Sequence, residues 1–197
     1  MIPRTAILLL AAVGFLQVGS GLWIHANAQL AQVLLQRAFA RSIAVGPDVK
    51  PWPWADTWPV ARIEVKRIGA SAIVLAGSSG QALAFGPGHL EHTPNPGERG
   101  VAVYAAHRDT HFAFLKDVTV GDEIAVTGCD GRRFRYRVDG ASVVRFDATG
   151  IDPLTDRHEL VLSTCWPFDA VTQGPLRYVV NAQMIDGATG GHLWAER

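Results

Sequence analysis

A mainly β domain of barrel or sandwich type, set behind an N-terminal membrane helix, is the architecture this sequence predicts. Three observations carry the prediction. Seven or eight short β-type runs follow one another after residue 59, turn signals separate them, and residues 6–24 carry no charge at all. The periodic segments leave room only for short helices, one of them at residues 81–85.

The uncharged run, AILLLAAVGFLQVGSGLWI, is nineteen residues long. As a helix it would measure about 29 Å, close to the hydrocarbon thickness of a bilayer. Arg4 precedes it, and Trp23 stands near its far end, where an indole suits the interface. Ala26-Asn27-Ala28 has the form of a signal-peptide cleavage site, so a removed leader is the competing reading. The run exceeds the usual apolar region of a leader, and the residues after it continue in helical spacing, with Leu30, Val33, Leu34 and Phe39 largely on one side. Residues 1–45 are therefore read as a membrane anchor and helical stalk. Residues 46–59, with four prolines and three tryptophans, read as an extended linker whose tryptophans pack back on the domain. The β domain spans residues 60–186, and residues 187–197 form a tail.

Within the domain, VARIEVKRI (60–68), SAIVL (71–75) and VAVYAA (101–106) are the first β runs. EIAVT (123–127) and RRFRYRV (132–138) flank Gly128-Cys129-Asp130-Gly131, a hairpin loop. In the second of these strands Phe134, Tyr136 and Val138 alternate with Arg133, Arg135 and Arg137, the period of a half-exposed strand. ASVVRF (141–146), ELVLSTC (159–165) and RYVVNAQMI (177–185) complete the series.

Lysine and arginine total 18, as do aspartate and glutamate, so the formal charge is zero and nucleic acid is not an expected partner. The two cysteines, Cys129 and Cys165, are too few for a disulfide framework or a thiol-only zinc site. His107 and His111 form an H-x-x-x-H pair, but Arg108 stands where the metalloprotease pattern needs Glu, and a β run precedes. No metal is expected.

Three segments place a chemically capable side chain at the edge of a predicted strand: His107 after VAVYAA, Cys165 after LVLST, and Arg177 at the start of RYVVNAQMI. Strand ends on a rigid scaffold hold catalytic groups well. A cysteine thiolate attacks carbonyls, an imidazole moves the protons, and a guanidinium stabilises an oxyanion. That set suffices for acyl transfer. Taken singly, each residue has a bland reading as core filler or solvated surface, and a membrane-tethered β module that binds another envelope protein is the non-enzymatic alternative.

The wording around the three residues resembles the sortase family of cysteine transpeptidases. LSTC (162–165) is similar to its TLxTC active-site signature, with Val161 in place of the first Thr. AAHRDTHF (105–112) resembles its GHR-type histidine motif, with Ala106 for Gly. LRYVV (176–180) resembles the strand bearing the catalytic arginine. GPGH (86–89) and HRDTHF together resemble the subgroup found in Gram-negative bacteria. The order His, Cys, Arg also agrees, whereas papain-like enzymes reverse the first two and L,D-transpeptidases carry an SHGC-like signature that LSTCWP lacks. The resemblance implies a closed eight-stranded β-barrel with Cys165, His107 and Arg177 as catalytic residues. It implies cleavage of a partner protein's C-terminal LPxTG-like sorting signal through a thioester, and transfer to an unspecified amine, without cofactor. The chain is read as a single-pass inner-membrane protein with its catalytic domain outside the cytoplasm. Arg37 and Arg41 after the run against Arg4 before it do not favour that side, but long domains translocate largely regardless of such charges. Thr164, Trp166 and His111 are the substrate-binding candidates; the eleven-residue loop between Cys165 and Arg177, which opens with Trp166, Pro167 and Phe168, either walls the cleft or merely packs over the barrel mouth.

Overall fold

In the computed structural model, residues 3–187 are described. They form one long helix, α1 (Arg4–Val45), and eight strands: β1 (Pro59–Val65), β2 (Ala70–Ala76), β3 (Gly88–His89), β4 (Gly100–Ala105), β5 (Glu123–Gly128), β6 (Arg133–Arg145), β7 (His158–Cys165) and β8 (Leu176–Asp186). A short helix, α2 (Gly80–Phe85), connects β2 to β3, its first turn capped by the Ser79 hydroxyl. The strands close into a barrel in the order β1-β2-β3-β4-β7-β8-β6-β5, with β5 pairing back onto β1. Closure leaves no free sheet edge.

The alternation read from the sequence holds in β6. Phe134, Tyr136 and Val138 are buried in the barrel, while Arg133, Arg135 and Arg137 turn outward onto Glu64, Glu123 and Asp186. β4 and β7 lack such alternation because both their faces are covered. Ala102, Tyr104, Leu160 and Leu162 fill the barrel, and Val101, Val103 and Val161 pack outside it with Val179 of β8.

Three details differ from the sequence reading. The runs RRFRYRV and ASVVRF are one thirteen-residue strand, because a register shift between Val138 and Gly140 absorbs the apparent break. The first run ends as strand at Val65 and turns through a short 3-10 segment, Lys66–Ile68, to Gly69 at φ +64°. In α1 the docked face is Ala31, Leu35, Ala38, Phe39 and Ser42, whereas Leu30 and Val33 are exposed. Small alanines on that face let the helix approach β1, β2 and α2 closely, and Gln32 Nε2 donates to the carbonyl of Phe85 at 2.8 Å. Of the linker tryptophans, Trp52 packs edge-on against Phe85 at 5.1 Å, while Trp54 stays exposed.

The uncharged run 6–24 lies within α1, but the side chains of residues 6–12, 22, 24 and 25 lie outside the described ones. Among the described residues no helix is long and apolar enough to cross a membrane. The described part of α1 therefore does not support the predicted transmembrane segment. The tail from residue 188 also lies outside the described residues.

Candidate active site

The site is built by two parallel neighbours. β4 and β7 pair in register, with Ala105 opposite Ser163, so their chains leave the sheet at the same edge. His107 and Cys165 each follow by two residues. The amide of Ala106 donates to the Ser163 carbonyl at 3.2 Å, and the Thr164 hydroxyl donates to the Ala106 carbonyl at 2.7 Å. The residue before the histidine is thus tied to the residue before the cysteine.

Side-chain phase sets the rest. Leu160, Leu162 and Thr164 point into the barrel, so Val161, Ser163 and Cys165 point out of it. Cys165 is half-buried, not sealed in the core, and His107 is exposed. Both line one cavity of about 420 Å³, with Ala84 of α2 on one side and Val171 and Gln173 of the β7–β8 loop on another. A thiol and an imidazole therefore share an open groove on the outer face of the barrel, roomy enough for an extended peptide segment.

Arg177 stands directly opposite Cys165 in the antiparallel β7–β8 ladder, on the same sheet face. Its guanidinium is turned back. Nη1 donates to the carbonyls of Gly174 and Leu176, both at 2.9 Å, and the group lies 5.6 Å from the Phe146 ring centroid. Arg177 is accordingly close to the thiol in register but does not line the cavity that Cys165 and His107 share.

Two of the substrate-binding candidates sit elsewhere. Thr164 is 2% exposed and its hydroxyl is spent on Ala106, so it braces the backbone and does not face a ligand. Trp166 stacks on Tyr178 at 5.6 Å and meets Phe168 edge-on, and Phe168 and Tyr178 pack against the barrel core. Strand phase explains this: one residue beyond Cys165, the side chain turns to the barrel end. His111 is half-buried under α2, and burial pushes its imidazole below the usual range. A backbone hydrogen bond at Ala84 opposes that shift, and the neighbouring charge of His107 adds to it.

Arg108, Ala84, Val171 and Gln173 are also in the cavity wall and were not singled out as site residues in the sequence. Val171 and Gln173 do belong to the loop between Cys165 and Arg177 that is expected there as a wall, and Arg108 adjoins the histidine. Cys129 lies apart, buried among α1 residues and bonded to Ser42 Oγ at 3.1 Å and the Pro59 carbonyl at 3.0 Å; both cysteines are free thiols. Among the described residues no three His, Cys, Asp or Glu side chains cluster as metal ligands would.

A closed eight-stranded barrel with a half-buried thiol and an imidazole at adjoining strand ends defines a class of thiol-dependent acyl-transfer folds. The sortase domain model matches residues 63–185, and the chain belongs to the sortase family, a family of cysteine transpeptidases. It is 31% identical over 124 residues to Sortase D of Bacillus subtilis (strain 168), covering 62% of each protein. Among solved structures, sortase A from Corynebacterium diphtheriae shares 30% identity with a TM-score of 0.60, over 68% of this chain and 63% of that one. A Clostridium perfringens sortase D5 transpeptidase aligns with a TM-score of 0.62 at 25% identity, over 79% of this chain and 96% of that one. The chain thus spans just under two thirds of Sortase D and of the Corynebacterium enzyme. The two departures from the family wording are accommodated in the packing. Ala106 joins the barrel core, and Val161 fills the outer apolar patch.

Proposed function

We propose that this protein is a sortase-type cysteine transpeptidase that cleaves an LPxTG-like sorting signal at the C-terminus of a partner protein. The observation that carries the reading is the shared cavity of Cys165 and His107 at the ends of parallel β4 and β7. Cys165 attacks the carbonyl carbon of the signal's threonine as thiolate, and the carbonyl oxygen takes up the negative charge. As the tetrahedral intermediate collapses, the C–N bond breaks and His107 gives its proton to the departing amine of glycine. The acyl group is left on sulfur as a thioester. An acceptor amine then attacks that carbon, His107 takes the amine's proton, and the thiolate departs as the new amide forms.

Arg177 is assigned to the substrate carbonyl or the oxyanion. Its register opposite Cys165 supports the role, and binding of substrate would draw the guanidinium from the Gly174 and Leu176 carbonyls. The Gram-negative subgroup is part of this reading, supported by GPGH and HRDTHF. So is single-pass attachment to the inner membrane through residues 6–24, with the barrel outside the cytoplasm. The absence of charge in that run supports the attachment.

Incubation with sorting-signal peptides and intact-mass detection of a Cys165 acyl adduct tests the reaction. The wild-type chain should form the adduct and C165A should not. Peptide cleavage by C165A at the wild-type rate would refute the assignment.

A further inference from the structure

We propose that Arg108 is a positioning residue, which fastens the β7–β8 loop across the cleft and keeps one guanidinium nitrogen for an oxygen of the bound peptide. It follows His107 directly and lines the same cavity. Its Nη2 crosses to the opposite wall and donates to the carbonyls of Ala170 and of Thr172, the latter at 2.9 Å. Those acceptors lie 62 and 64 residues away in sequence, so the bonds join the histidine side of the cleft to the loop that follows the nucleophile.

The loop needs such a tie. Its first part is held by the Trp166, Phe168 and Tyr178 rings and its end by β8, but Val171 at the tip is fully exposed. Val171 and Gln173 nonetheless form the cavity wall. Where that wall stands depends on Arg108.

The other nitrogen, Nη1, is buried and has no hydrogen-bond partner among the described residues. No carboxylate there lies within ion-pair distance of Arg108, so its two acceptors are neutral carbonyls and the charge is not compensated. A buried donor without an acceptor is destabilising, and a charged one more so. A peptide laid along the groove brings carbonyl oxygens into this wall, and one of them would complete the fork. Of the Arg177 guanidinium only Nη1 is hydrogen-bonded, and among the described residues none of its nitrogens is both buried and unpartnered as Arg108 Nη1 is.

The peptide half of this inference rests on the transpeptidase reading; the loop half does not. The full-length chain is compared with R108A and R108K. Amide exchange across residues 168–174 reads the loop, kcat and KM for a sorting-signal peptide read the substrate contact, and the iodoacetamide rate at Cys165 reads the integrity of the site. In R108A, exchange at the Ala170 amide, which is bonded to the Pro167 carbonyl, should rise about tenfold or more and KM should rise about tenfold, with Cys165 alkylation within about twofold of wild type. R108K keeps the charge but loses the fork, and should recover part of the KM and little of the exchange protection. Exchange and KM both unchanged in either variant would overturn the proposal, as would loss of kcat with unchanged KM. If R108A does not fold, R108K alone decides on the same readouts. If the wild-type chain acylates with no peptide, the transpeptidase reading fails, and the exchange arm still judges the loop tie.

Discussion

The hydroxyl of Thr164 donates to the carbonyl of Ala106 at 2.7 Å inside the barrel, 58 residues away in sequence, and so couples the backbone that presents Cys165 to the backbone that presents His107. Both groups are buried, so the bond cannot be replaced by solvent without opening the barrel end.

Thr164→Val keeps the shape of the side chain and removes the donor, leaving the Ala106 carbonyl unsatisfied. The expected cost is about 1–2 kcal/mol of stability. The expected effect on peptide acylation is larger than that loss of fold would suggest, a fall in kcat/KM of about tenfold to a hundredfold, because a small misplacement of thiol and imidazole is costly. Thr164→Ser restores the hydroxyl and should return most of the rate. Thermal unfolding and single-turnover acylation check both parts; full activity in Thr164→Val would show that the tie does not set the site.

The two cysteines should behave as different chemical species. Cys129 is 8% exposed, packs with Leu35 and Phe39 of α1, and has its thiol pushed up by burial, against the opposing hydrogen bond from Ser42. Cys165 is half-buried at the mouth of an open groove. Native protein treated with iodoacetamide should therefore label at Cys165 alone, and denatured protein at both positions. Peptide mass mapping distinguishes them. Labelling of native Cys129 at a comparable rate would mean that α1 undocks readily, since Ser42 and Phe39 of that helix cover the thiol.

Much of this architecture was legible because the strands advertise themselves. Alternation in 132–138 placed Phe134 and Tyr136 inward correctly, and the Gly128–Gly131 loop does close a hairpin, with the Gly128 amide bonded to the Arg132 carbonyl at 2.9 Å. β3 left no signal, because two residues have no period; Gly88 and His89 are strand only through pairing to β2 and β4. Gly140 read as a break because a bulge and a turn share the same residue types. The segment after the uncharged run is helix as its spacing indicates, but of Leu30, Val33, Leu34 and Phe39 only Phe39 is buried, beside Ala31, Leu35, Ala38 and Ser42.

The site was legible in its wording and not in its geometry. Strand-end positions for His107 and Cys165 came from local runs, but their meeting depends on β4 lying beside β7, which no local pattern encodes. Side-chain phase, once the register is known, separates the outward Cys165 from the inward Thr164, and it turns Trp166 to the barrel end. The direction of the Arg177 guanidinium and the reach of Arg108 across the cleft are long-range properties, fixed by carbonyls at Gly174, Leu176, Ala170 and Thr172.

Acid sensitivity should trace to Asp122. Its carboxylate is buried where the 3-10 turn after β1 meets the entrance to β5, and it accepts from Nε and Nη2 of Arg67 and from the Thr119 amide. The Arg67 hydrogen bonds hold its pKa below the usual carboxylate range, against the opposing effect of burial. With the folded value depressed, the stabilisation is complete above the unfolded value of about 3.9. It is lost as pH falls below that, because the unfolded chain binds the proton first, and it is gone once pH has passed the folded value. Asp122→Asn removes the ionisation and should cost about 1–3 kcal/mol at neutral pH. The wild-type and Asp122→Asn unfolding curves should therefore converge as pH drops from about 4 downward. Curves that remain parallel over that range would assign the acid sensitivity to other carboxylates and leave the Arg67–Asp122 pair without a role in it.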